Sequence, residues 1–349
     1  MTPATLDGAA LIGRTDRKGA VAASAEELRG ARVLITGAGG SIGSNLSRAL
    51  AQTAETLILL DHHEHSLYDL VRSLEDAPCQ PSYVLADVRD RAKTRRVFER
   101  DRPTHVFHLA AYKHVPFGQM FPEETVSVNI VATCQLLELS ADLGVSRFVY
   151  PSSDKAVNPP SLYGATKRVS EIATEQTALS HGLPYSIVRY VNVMGTRGSV
   201  IETFSRQLKA GETLSVTNAE MTRYWMTMDE AVWLLLVAAT RARPADILML
   251  SDLSEISVLD MASRLSGLLG FQRDPSVRFT GMRPGERLRE ELLSANESFV
   301  SAEIAGIASV AHCCRDAQLG MTIPSFQNQL DLPPDVLTSL VMDLARLLQ

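Results

Sequence analysis

From residue 31 onward, short apolar runs alternate with amphipathic stretches. The runs fall at 33–36 (VLIT), 56–61 (TLILLD), 83–87 (YVLAD), 105–111 (HVFHLAA), 147–153 (RFVYPSS) and 185–191 (YSIVRYV). Between them, IGSNLSRALAQ, RAKTRRVFERD and NIVATCQLLELSADLG place apolar residues at helical spacing. Strands that are apolar on both faces, separated by helices, predict an α/β fold built on a doubly wound parallel sheet. The pattern loosens after 191 and returns at DILMLSD (246–252) and VLDMASRLSGLLG, and a last amphipathic helix is predicted over VLTSLVMDLARLL (336–348). Residues 1–30 show little periodicity and read as an arm or lead-in.

Composition narrows the class without fixing it. In 349 residues, 45% are hydrophobic and 21% charged, as in ordinary soluble domains. A net charge of −6 with no run of Lys or Arg gives no reason to expect a nucleic-acid partner. Cys79, Cys134, Cys313 and Cys314 have no C-x-x-C spacing, so neither a zinc site nor a disulfide framework is expected. No signal-peptide pattern opens the chain, and the longest apolar stretch, AVWLLLVAA at 231–239, falls far short of the ~20 residues that span a bilayer. A cytoplasmic protein without a membrane span is expected.

The first strand runs into TGAGGSIG, which sets Gly37, Gly40 and Gly43 between a strand and a helix. Such a turn lets the backbone approach a pyrophosphate and aims a helix N-terminus at its charge, with Ser41 and Ile42 supplying N–H donors. The second strand ends in Asp61, positioned to accept from a ribose and to repel a 2′-phosphate, which favours NAD over NADP. Asp87 and Val88, after the third strand, fall at the adenine edge, and Ala110 and Ala111, after the fourth, leave room for the cofactor backbone. The cluster DHHEH, holding His62, His63 and His65, reads as a loop rimming the adenosine site, and no metal is expected.

Tyr163 and Lys167 stand at i and i+4 on a predicted helix opened by NPPS, so both face one way. A phenol with a pKa near ~10 is a poor base at neutral pH. The neighbouring ammonium and a positively charged nicotinamide would favour phenolate, and Ser153 can share the hydroxyl proton. Together these residues make an alcohol-oxidising set. Beside them sits a second acid–base pair, Asp154 and Lys155, which a simple oxidation does not need.

TGAGGSIG, YGATK and the chain order resemble an extended short-chain dehydrogenase/reductase with a Rossmann-type sheet. AAYKHVP (110–116), SSDKAVNP (152–159), NVMGTRGSVI (192–201), EMTRYWMT (220–227) and RPGERLREEL (283–292) narrow this. They are similar to the CapD-like polysaccharide biosynthesis family of UDP-N-acetylglucosamine 4,6-dehydratases. The segment LIGRTDRKGAV (11–21) looks like the linker of its membrane-anchored members, whereas Tyr163 matches the short members.

The resemblance implies a UDP-sugar 4,6-dehydratase, an NAD-dependent lyase, and a homo-oligomer, dimeric or higher. It gives Asp154 the role of general acid and Lys155 that of general base, with the Asp154 pKa raised and the Lys155 pKa lowered. Arg223 and Arg283 would bind phosphate, Glu286 the nucleotide ribose, and Asn192 and Ser199 the diphosphate–sugar linkage. Lys113 and His114 receive no role. The implied organisation is a lead-in over 1–30, an NAD-binding domain over 31–191, an interleaved, smaller substrate-binding part over 192–300 and an extension over 301–349. A C4 epimerase of the same fold is the alternative, and a non-enzymatic dinucleotide-binding protein a third reading. The first would leave Asp154 and Lys155 without a task, the second Tyr163 and Lys167.

Overall fold

The computed structural model describes residues 7–15, 17–271, 274–312 and 326–349. Cys313 and Cys314 lie outside the described residues. The strands are β1 (Arg32–Thr36), β2 (Thr56–Asp61), β3 (Ser82–Leu85), β4 (His105–His108), β5 (Arg147–Ser153), β6 (Ser186–Tyr190) and β7 (Asn192–Val193). They continue as β8 (Leu214–Val216), β9 (Thr222–Met226), β10 (Ile247–Leu250), β11 (Glu255–Ser257), β12 (Val277–Phe279), β13 (Glu297–Ser301) and β14 (Ile307–His312).

Nine of them form one sheet in the order β13-β14-β10-β6-β5-β4-β1-β2-β3. From β3 through β10 every pairing is parallel, and the hairpin β13–β14 adds an antiparallel edge against β10. The order 3-2-1-4-5-6 is that of a doubly wound dinucleotide-binding fold. Both faces of the sheet are covered. One buried cluster joins Val33, Ile35, Leu57, Leu59 and the helix Met228–Arg241. The other joins Leu34, Ile58, Phe148 and the helix Ala132–Asp142. This is why the strands carry apolar residues at successive positions rather than at alternate ones.

Smaller units complete the chain: a three-stranded sheet β11-β9-β7 and a parallel pair β12-β8, with their own apolar cluster around Ile201, Phe204, Trp225 and Met261. The stretch read as a lead-in contains two helices, Gly8–Ile12 and Lys18–Glu26, that pack onto the rest. Leu11, Ile12, Ala25 and Leu28 are buried, Arg14 pairs with Glu230 at 2.9 Å, and the Arg17 guanidinium lies 4.5 Å from the Trp233 ring centre. Short helices separated by Gly13 give too few turns for a period to show in the sequence. The last helix, Pro334–Leu347, packs against the helix Leu162–His181 through Leu337, Val341 and Ala345. Among the described residues, no helix is long and apolar enough to cross a membrane.

Candidate active site

The glycine turn links β1 to the helix Ser41–Leu50, which opens at Gly40 with no side chain capping its first N–H groups. Gly37 has φ +69°, and a Cβ there would come within 2.7 Å of the Ala110 backbone nitrogen. A Cβ on Gly43 would fall 2.3 Å from the Gly37 carbonyl oxygen. The turn can therefore lie flat against the end of β4, leaving a cradle in front of a helix N-terminus that suits a pyrophosphate. Asp61 ends β2 beside it, buried. Its Oδ2 accepts from the Gly39 N–H at 2.9 Å and its Oδ1 from the His63 N–H at 2.9 Å.

Asp87 is engaged by Arg89, whose guanidinium and backbone N–H both donate to it and hold its carboxyl below the usual range. Val88 is buried. Ala110 and Ala111 are half-buried, with the Ala110 N–H donating to Thr36 Oγ1 at 3.3 Å.

A strand cannot aim consecutive side chains at one point, so Asp154 and Lys155 must stand outside β5 to act together. They do. Ser153 is the last residue of β5, and Asp154–Ala156 form a single 3₁₀ turn. Asp154 Oδ1 accepts from Ser153 Oγ at 2.8 Å and from Lys155 Nζ at 3.1 Å. Asp154 Oδ2 is buried without a partner in the protein. Five residues beyond the turn, Ser161 caps the helix Leu162–His181 by accepting from the Gly164 N–H at 3.2 Å, and Tyr163 and Lys167 follow, both buried.

The electrostatics depart from expectation at two points. The Tyr163 phenol is pushed up rather than down, because burial outweighs the Lys155 charge and the Ser153 hydrogen bond. The ammonium acting on it is that of Lys155, whereas Lys167 donates to the Pro151 carbonyl at 2.8 Å and is lowered by burial to about 7. Lys155 is also shifted the opposite way from that expected. Burial lowers it, but Asp154 at 3.1 Å and Glu290 at 3.2 Å together carry its pKa above the ordinary value.

The expected substrate residues are placed as follows. Arg223 is buried, with Nη1 donating to the carbonyls of Thr222 (2.7 Å) and Leu288 (3.1 Å) and Nε 3.6 Å from Glu290. Its guanidinium thus faces the protein. Arg283 is exposed, and its backbone N–H donates to Glu286 Oε2 at 3.1 Å across a turn. Asn192 donates to the Tyr224 carbonyl at 3.0 Å. Ser199 caps the helix Val200–Lys209.

Four contributions were not read from the sequence. Glu290 closes over Lys155. Arg197 crosses to the glycine turn, donating to the Gly39 carbonyl and, at 2.8 Å, to Ser66 Oγ, while its backbone N–H donates to Ser41 Oγ at 3.0 Å. Lys113 holds that loop by donating to the Arg197 carbonyl at 2.8 Å. Asn129 lies in a π turn, Ser127–Val131, and its side chain bonds both backbone groups of Tyr112 at 2.9 Å and Thr166 Oγ1 at 3.1 Å. A π turn inside a continuous amphipathic pattern leaves no mark on the sequence, although such turns gather at functional sites.

A family model described as "Polysaccharide biosynthesis protein" matches residues 33–312. The capsular polysaccharide biosynthesis protein CapD of Staphylococcus aureus is 38% identical over 82% of this chain, which spans about half (49%) of that relative. A UDP-N-acetylglucosamine 4,6-dehydratase (inverting) of Campylobacter jejuni is 30% identical over 80% of this chain and 82% of its own length. Among solved structures, the dTDP-glucose 4,6-dehydratase DesIV of Streptomyces venezuelae, with NAD bound, aligns over 75% of this chain and 88% of its own at a TM-score of 0.68 and 25% identity. The matched span runs from the first residues of β1 to the end of β14 and so takes in the glycine turn, the Ser153–Lys155 turn and the Tyr163 helix. The chain belongs to the polysaccharide biosynthesis protein family, on the Rossmann-type fold of the extended short-chain dehydrogenase/reductases.

Proposed function

We propose that the protein is a nucleotide-sugar 4,6-dehydratase, a cytoplasmic NAD-dependent lyase that converts a UDP-N-acetylhexosamine, UDP-N-acetylglucosamine in the first instance, to its 4-keto-6-deoxy product. The observation that carries this reading is the turn at 154–156, which brings a carboxylate and an amine out of β5 and beside Ser153. An epimerase oxidises and reduces at C4 alone and has no use for that pair.

NAD, when bound, would supply a reversible hydride acceptor for the sugar, with no net change in the cofactor over the cycle. Gly37, Gly43 and the uncapped start of the helix Ser41–Leu50 fit its pyrophosphate, and the Asp61 carboxylate fits a free 2′-hydroxyl better than a 2′-phosphate. Tyr163 takes the C4 hydroxyl proton, with Ser153 sharing it. The resulting ketone acidifies C5–H, and Lys155 in its free-base form removes that proton. Asp154, as the acid, protonates the C6 hydroxyl, which leaves as water, and once the hydride has returned to C6 the enolate takes up a solvent-derived proton at C5. A buried carboxylate oxygen without a partner is costly unless it carries a proton or meets a bound molecule, and Asp154 Oδ2 is such an atom. Arg283, exposed, and Glu286, half-buried on the same turn, would meet the nucleotide, and the protein would act as a homo-oligomer.

Mass spectrometry of UDP-N-acetylglucosamine incubated with the protein tests the reading. A product lighter by one water is expected, and an isomer of unchanged mass would favour the epimerase. The Arg197 tie gives a second expectation. Arg197→Ala removes the side-chain bonds to the Gly39 carbonyl and Ser66 Oγ while keeping the backbone bond to Ser41, and NAD affinity measured by calorimetry falls by about tenfold, or about 1.4 kcal/mol. Unchanged affinity would make the tie irrelevant to the cofactor.

A further inference from the structure

The chemistry above leaves Glu290 without a task, although it touches the base. Glu290 Oε1 lies 3.2 Å from Lys155 Nζ and 3.6 Å from Arg223 Nε, and its side chain is 4% exposed. The segment that carries it grips the catalytic turn elsewhere as well, since Arg287 donates to the carbonyls of Val157 and Asn158. Lys155 therefore sits between two carboxylates supplied by different parts of the chain, Asp154 from the turn after β5 and Glu290 from the stretch before β13.

An ammonium has no lone pair with which to take the C5 proton. Lys155 becomes a base only by giving its proton away, and both carboxylates touching it are acceptors. If Asp154 receives that proton, one transfer makes the acid and the base together. A carboxylate at Glu290 opposes the transfer by stabilising the ammonium, and it keeps Nζ from swinging out of the turn.

We propose that Glu290 is a positioning residue that holds Lys155 as an ammonium beside Asp154 until the sugar enters. The alternative is a structural carboxylate that neutralises Arg223, yet the closer contact is to Lys155. The charged and titratable groups facing Lys155 are Asp154, Glu290, Arg223 and Tyr163. The two carboxylates outweigh burial and Arg223 in raising Lys155. The catalytic sense of the proposal rests on Lys155 being the base. The contact itself does not.

The chain has six lysines: Lys18, Lys93, Lys113, Lys155, Lys167 and Lys209. Lysine labelled with ¹³C at Cε gives few enough NMR signals to assign Lys155 through Lys155→Arg. In Glu290→Gln the Lys155 titration midpoint falls by at least about one pH unit, a tenfold change in proton affinity, while that of Lys167 stays in place. The acidic limb of the turnover profile moves down with it. Glu290→Asp, which keeps the charge on a shorter arm, shifts the midpoint less and serves if the Gln variant does not fold. An unmoved Lys155 midpoint in either variant, or Lys155 and Lys167 moving together, would overturn the proposal. A shifted midpoint in a protein that releases no dehydrated sugar would sink the dehydratase reading and leave Glu290 holding Lys155.

Discussion

Asp154→Asn should retain C4 oxidation and lose turnover by a factor of ~10²–10⁴, the usual worth of a positioned acid. The amide keeps the size of the carboxyl and can still accept from Ser153 Oγ, which sits 2.8 Å from Oδ1 in the wild type. What it cannot do is hand a proton to the departing C6 hydroxyl. The reaction then stalls after oxidation, and the absorbance of reduced nicotinamide rises on mixing with the sugar nucleotide and does not decay. Stopped-flow absorbance follows this directly. Full turnover in the variant would remove the dehydratase assignment, because the Asp154–Lys155 pair is what distinguishes this site from that of an epimerase.

The second large effect concerns stability. Glu171 lies on the helix that carries Tyr163 and Lys167, fully buried, and accepts from Arg168 at 3.0 Å and from Arg189 of β6 at 3.0 and 2.9 Å. Arg189 also donates to Glu297 at the start of β13, which His312 at the end of β14 meets at 2.8 Å. The cluster thus fastens the edge hairpin β13–β14 and the helix Leu162–His181 to β6. Removing one partner of a buried ion cluster strands the others, so Glu171→Gln should cost about 3–5 kcal/mol in urea unfolding. A loss below about 1 kcal/mol, the worth of a surface pair, would show the cluster to be hydrated in solution.

Against the opposing effect of burial, Arg189 and Arg168 hold the Glu171 carboxyl below its ordinary value of 4.5, and the His312 hydrogen bond, together with Arg189 and Arg168, does the same for Glu297. Groups depressed in the folded state contribute fully above that value, and the contribution is lost as pH falls below it toward the folded values. Wild-type stability should therefore drop on acidification below about pH 4.5, and less steeply in Glu171→Gln.

What could be read from sequence was whatever is local. The strands 56–61 and 147–153 stand where their apolar runs place them, because each run is bounded by residues that cannot continue it. TGAGGSIG and YGATK carry their geometry within one turn, so the glycine cradle and the Tyr163 helix follow from spacing alone. The need for Asp154 and Lys155 to leave the strand was also legible, as a consequence of alternation. Contacts between distant segments were not. Glu290, on the stretch before β13, reaches Lys155, and Arg197, on the 195–199 loop, reaches Gly39, only once the fold brings these distant segments together.

That is also why the Lys155 shift was expected with the wrong sign. Burial was foreseen, and the second carboxylate was not. Arg223 was expected to bind phosphate because the family resemblance of EMTRYWMT implies it. In the fold, Nη1 donates to two backbone carbonyls and Nε faces Glu290, contacts that the sequence did not reveal.

The most direct test of the central claim is proton NMR of UDP-N-acetylglucosamine, deuterated at C4, incubated with the protein and NAD in D₂O. The account predicts a new C6 methyl group carrying the deuterium that began at C4, with a solvent deuteron at C5. A galacto isomer without a methyl signal, or a methyl group without the transferred label, would contradict it.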